Sequence, residues 1–130
     1  MIAGVSLTTS DLEDAHTKDS ISLEFCQDTQ CCKTKTLPGD YNRGMTTKYF
    51  DTDTLNDCME MKVATSDDVD VTLYTNKDNA WRGDGISIFT AFGKVMDCPL
   101  PGEYKGKYLR NDSECPDCPA AKAICKTDEN

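Results

Sequence analysis

The 130-residue sequence has no apolar run approaching the ~20 residues that span a bilayer. No internal repeat and no low-complexity tract is visible, and the length suits one domain. Basic residues are scarce: 14 Lys+Arg stand against 23 Asp+Glu, a net charge of −9. The deficit lies in residues 1–97, with 9 basic and 17 acidic side chains, against 5 and 6 in residues 98–130. An acidic chain argues against nucleic acid, whose phosphates require a basic patch. It also argues against simple electrostatic docking on anionic lipid. It is compatible with hard cations, which take carboxylate oxygens.

Histidine is nearly absent. His16 sits in an acidic, turn-like stretch with no nucleophile motif nearby. A hydrolytic triad needs a His beside a nucleophile and an orienting carboxylate. His16 therefore reads as an exposed loop residue, and the chain is expected not to be an enzyme. The opening Met1–Ser10 has neither a basic n-region nor a long apolar h-region, so no signal peptide is expected. A secreted protein would then be in its mature form.

Cysteine, by contrast, is abundant: Cys26, Cys31, Cys32, Cys58, Cys98, Cys115, Cys118 and Cys125. An even number at this density, with one histidine, implies four disulfides in an oxidising, extracellular compartment. The pairing stays open, since eight cysteines allow 105 connectivities. Cys115-Pro116-Asp117-Cys118 has the C-x-x-C form of a redox pair or half a zinc site. No βαβ context surrounds it, and the adjacent Cys31-Cys32 is badly placed for chelation, so disulfides are the expected use. The sequon Asn111-Asp112-Ser113 also fits secretion.

Short runs of period two dominate the rest. Ser20–Phe25, Met59–Val63 and Val69–Tyr74 alternate apolar and polar residues, as strands with one buried and one wet face do. Val5–Thr9, Lys33–Leu37, Thr46–Phe50, Gly85–Thr90 and Gly93–Met96 are further candidates. Turn residues fall between them, at Pro38-Gly39-Asp40, Asn42-Arg43-Gly44, Asn76–Asn79 and Gly83-Asp84-Gly85. Roughly eight such strands predict an all-β, antiparallel sandwich. One helical turn is expected within Asp51–Asn56, and a short helix over Pro119–Lys126, with Pro119 near N1. The chain is expected to divide into a sandwich, residues 1–97, and a Pro/Cys-rich extension, residues 98–130, tethered on it by disulfides.

Two constellations could carry recognition. Arg82-Gly83-Asp84 is an RGD triplet, the form integrin ligands present on a mobile loop. Oxygen ligands cluster at Asp11–Asp14, at Asp40 with Asn42, and at Asp78-Asn79 with Asp84. No EF-hand spacing occurs, but calcium sites in sandwiches are assembled from several loops at one end.

From Val5 to Phe92 the chain resembles the PLAT (LH2) domain, a sandwich of two four-stranded sheets. Val5–Thr9 looks like its first strand, Asp14–Asp19 its first loop and Ile21–Phe25 its second strand. Leu37–Gly44 is similar to its Asp-Phe-Glu-Arg-Gly turn, and Leu55–Cys58 to the segment before its central strand. Val71–Tyr74, then Asp78-Asn79, Trp81, Gly83 and Asp84, resemble the strand and Trp-containing loop that close it. Cys31-Cys32 with Cys58 looks like cysteine-rich extracellular relatives in invertebrates. The resemblance implies docking to lipid or protein, often with calcium. His16 and Lys18 replace the Gly and Asp of the calcium-binding first loop, so Asp14, Asp40, Asp78 and Asp84 carry that expectation. It also places Trp81, Arg82, Gly83 and Asp84 in a recurrent family loop, and Trp81, the only tryptophan and close to Gly83, is expected to pack its ring on the sandwich. The reading is a secreted PLAT-like binding module for a membrane surface or an extracellular protein, with calcium as its candidate cofactor. The alternatives are a toxin, effector or RGD-dependent integrin ligand, and a hydrolase using scattered carboxylates.

Overall fold

A computed structural model describes residues 1–9, 21–37, 44–64, 66–75, 83–91, 93–100 and 121–127. These form eight strands: β1 (Ile2–Thr9), β2 (Ile21–Gln27), β3 (Gln30–Lys33), β4 (Thr46–Tyr49), β5 (Val69–Thr75), β6 (Gly83–Thr90), β7 (Val95–Pro99) and β8 (Ala121–Thr127). All pairings are antiparallel, in the order β3-β2-β5-β8-β7-β6-β1-β4. The order folds into two layers, β4-β1-β6-β7 (sheet A) and β3-β2-β5-β8 (sheet B). They are joined at one corner, where β8 meets β7 through Met96↔Thr127 and Asp97↔Lys126. The chain is thus the all-β, eight-stranded sandwich expected of it.

Alternation explains the layers. In β2, Ile21, Leu23, Phe25 and Gln27 are buried, while Ser22, Glu24 and Cys26 are half-exposed. Val5, Leu7, Ile86, Ile88 and Met96 of sheet A join Ile21, Leu23, Phe25, Val71 and Leu73 of sheet B in one buried cluster. Such side chains stabilise by about 1.5–3 kcal/mol each on burial. Gln27 is the polar exception. Its amide donates to Ala64 O (2.8 Å) and its oxygen accepts from Ala64 N–H (2.8 Å), which ties Ala64 to β2.

Three expectations are corrected. Met59–Val63 is not a strand. Asn56–Glu60 is a 3₁₀ helix, and burial recurs three residues apart, at Cys58 and Met61, instead of two. A helical turn does precede it, at α1 (Thr52–Leu55), where the Asp51 carboxylate accepts from Thr54 N–H at 3.0 Å and Thr54 Oγ1 at 2.7 Å. Lys33–Leu37 is mostly not strand either. β3 ends at Lys33, and beyond it only Leu37 bridges, to Ile21. The strand comes earlier because Asp28, at φ 55°, allows a two-residue hairpin turn from β2.

The third correction concerns the expected helix over Pro119–Lys126, of which the described residues are 121–126. Ala121–Thr127 is strand, with Ala121, Ala123 and Cys125 buried and Lys122, Ile124 and Lys126 exposed. An available partner on both sides, β5 and β7, overrides the helix preference of alanine. This part of the expected extension is a strand of sheet B, and β7 runs through the expected division at residue 97.

Candidate docking surface

The two ends of the sandwich differ. At one end lie the residues that flank the acidic segments. Thr9 pairs with Gly83 and donates its N–H to Met45 O at 2.9 Å, while Ile21 pairs with Thr75 and bridges to Leu37. The segments 10–20, 38–43 and 76–82 all leave from these positions. Asp14, Asp40, Asp78, Trp81 and Arg82 fall within them, outside the described residues, as do Cys115 and Cys118. Gly83 and Asp84 are described in backbone, and they open β6 as strand residues. Two residues of the RGD triplet therefore belong to a sheet. Among the described residues, no three His, Cys, Asp or Glu side chains come together as metal ligands.

The other six cysteines form three bridges: Cys26–Cys31, Cys32–Cys58 and Cys98–Cys125. Cys98–Cys125 links β7 to β8 at the corner, with both residues fully buried. Cys32–Cys58 fastens the 3₁₀ helix to β3. Cys26–Cys31 crosses the β2–β3 hairpin between directly opposed residues, 4.1 Å apart at Cα.

At the opposite end, sheet A carries a row of apolar residues on its outer face. Gly4 pairs with Phe89 and Phe89 with Val95. Phe50 follows Tyr49, which pairs with Val5, so the next position across from Gly4 is Phe50. The row is therefore Phe50–Gly4–Phe89–Val95, one residue from each strand or its end. Gly4 is what lets Phe50 lie down, because a Cβ there would overlap the Phe50 ring. The Phe50 and Phe89 rings are 5.5 Å apart, tilted by 38°. Phe50 is nevertheless 54% exposed and Val95 36%. Met1 and Ala91, joined by a 2.9 Å backbone hydrogen bond, are exposed beside them. Lys48 and Lys94, both exposed, flank the row in sequence.

The outer face of sheet B is more polar. Lys33 Nζ stands 4.3 Å from the centre of the Tyr74 ring. Burial, with Glu24 nearby, raises the Tyr74 phenol above its ordinary pKa. A groove of ≈ 500 Å³ runs along β5 and β8, walled by Cys26, Asp70, Thr72, Lys122 and Ile124. Asp70 and Lys122 leave that face mixed in charge, with Ile124 the exposed large hydrophobic on it among the described residues.

The sequence reading missed Phe50, Phe89 and Val95 as surface residues, although the signal was present. Alternation through Ile86 and Ile88 puts Phe89 on the wet face, and Tyr49 inward puts Phe50 outward.

No family model matches the chain, and no curated protein matches it. Solved structures do. The Delta413-417:GS form of LOX, a lipoxygenase, in complex with arachidonate is 14% identical at a TM-score of 0.57, over 97% of this chain and 16% of that one. A substituted form of the same LOX is 16% identical at a TM-score of 0.56, with the same coverage. The chain thus spans about a sixth of these structures, 16% of their length, and the matched part is their small β-sandwich domain, outside the catalytic part. The likeness is one of fold: the chain is built as the PLAT/LH2 β-sandwich domain of lipoxygenases is built.

Proposed function

We propose that the protein is a secreted docking module that seats the Phe50–Gly4–Phe89–Val95 row on a zwitterionic lipid surface. The observation that carries this is the pair of aromatic rings on the outer face of sheet A, at the end away from the strand ends that lead into the acidic segments. Contiguous apolar side chains on a sheet's outer face are a common mark of interaction sites. A net charge of −9 opposes adsorption on anionic lipid, so the contact rests on apolar burial. Lys48, two residues before Phe50 and exposed, can lay its alkyl stem against the acyl boundary and keep its ammonium group among the headgroups. A lipoxygenase-type sandwich supports membrane or protein binding as its role, and no catalytic role is proposed. Disulfides support an extracellular location.

Calcium assistance is part of this proposal, resting on Asp14, Asp40, Asp78 and Asp84; the segments that hold them leave from the other end of the sandwich, so calcium would act by lowering the net charge of −9 and not by joining the row to lipid. Flotation of the protein with phosphatidylcholine vesicles, in calcium and then in EDTA, tests both statements. Co-flotation is expected, stronger in calcium. No flotation in either condition overturns the lipid reading and leaves the same row as a contact for an extracellular protein.

A further inference from the structure

We propose that Cys26–Cys31 is a thiol–disulfide exchange site, opened by an extracellular dithiol while the fold stays intact. The three described bridges differ in what a nucleophile can reach. Cys98, Cys125 and Cys58 are fully buried, and Cys32 is 6% exposed. Cys31 is exposed, and its strand, β3, is the outermost of sheet B. Cys26 is partly exposed on the same face and lines the groove beside Asp70. Exchange requires a thiolate to approach a sulfur from solvent, and only this bridge among the three offers that approach.

The fold does not depend on the bond in the way it depends on the others. Cys26 and Cys31 are already opposed by the β2–β3 ladder, from Glu24↔Lys33 to Gln27↔Gln30. The chain between them is short, with a sequence separation of 5, against 26 and 27 for the other two. A short loop constrains the unfolded chain least. Cys32–Cys58 continues to hold β3 from its inner face after the outer bond opens.

The chemistry balances as a two-electron exchange. One thiolate of the dithiol attacks Cys31 Sγ, forming a mixed disulfide, and Cys26 leaves as a thiolate and takes up a proton. The second thiolate of the dithiol attacks the mixed disulfide at its own sulfur partner. It closes the reagent's disulfide and releases Cys31, which also takes up a proton. The dithiol is oxidised and the protein gains two thiols on the outer face of sheet B, away from the docking row.

Dithiothreitol at native pH, quenched with iodoacetamide and mapped by peptide mass spectrometry, is the test. Cys26 and Cys31 should be labelled together and at least about tenfold faster than Cys32, Cys58, Cys98 and Cys125. The far-ultraviolet circular dichroism should be unchanged when that first pair is labelled. A Cys26→Ser/Cys31→Ser protein should melt cooperatively and lose this fast labelling. Simultaneous labelling of a buried pair, loss of structure with the first pair, or an unfolded double variant would overturn the proposal.

Discussion

Replacing Phe50 by alanine removes the largest exposed apolar group of the sheet A row. A fully exposed phenylalanine presents about 200 Å². At 54% exposure, about 110 Å² remains to be buried by a partner surface. At about 25 cal/mol/Å² this contributes up to about 2.7 kcal/mol, and about 1 kcal/mol if only part of the ring is covered. Partition into phosphatidylcholine vesicles should therefore weaken by about 5- to 100-fold in Phe50→Ala. Within the molecule the variant loses the Phe50–Phe89 contact, worth about 0.5–1.5 kcal/mol, and the packing of the ring over Gly4, so a stability loss of about 1–3 kcal/mol is expected and partition is compared where both proteins are folded. Ile124→Ala is the matched control. Ile124 is 49% exposed but stands on the outer face of sheet B. Vesicle sedimentation should find its partition unchanged. Equal losses in the two variants, or none in Phe50→Ala, would refute the assignment of the row as the contact.

Gln27→Leu strands the paired N–H and carbonyl of Ala64, and urea unfolding should show a loss of about 1–3 kcal/mol. Cys98→Ser/Cys125→Ser opens a bridge of separation 27, and should cost about 3–4 kcal/mol, or a melting temperature lower by about 10 °C or more. Asp51 has its carboxyl held below the ordinary value by the Thr54 hydroxyl, with the Thr54 N–H adding to this. Its contribution is present above the unfolded-state pKa and fades as pH falls through the lower folded value. Asp51→Ala should therefore lower stability at neutral pH and flatten the acid limb of a melting-temperature profile, whereas an unchanged acid limb would contradict the cap.

Much of the architecture was legible in the sequence because period-two alternation encodes which face of a strand is dry. Ile21–Phe25 and Val69–Tyr74 lie where their alternation puts them. The failures share a cause. Met59–Val63 and Ala121–Thr127 are short, and their state is set by partners distant in sequence. Cys32 holds Cys58 in a 3₁₀ helix, and β5 and β7 recruit β8. No local pattern reports such partners. The docking row was hidden for another reason. It is assembled from four strands, and its members become neighbours only once the register Gly4↔Phe89↔Val95 is known. The acidic residues chosen from turn composition fall in segments outside the described residues, apart from Asp84 at the start of β6.

The central claim is that the outer face of sheet A, at its Phe50 end, meets the lipid. Paramagnetic broadening of side-chain NMR signals by spin-labelled phosphatidylcholine reads that contact atom by atom. Broadening of the Phe50 and Phe89 rings and the Val95 methyls is predicted, with the Ile124 methyls on sheet B spared. Equal broadening of Ile124, or none at Phe50, would contradict it.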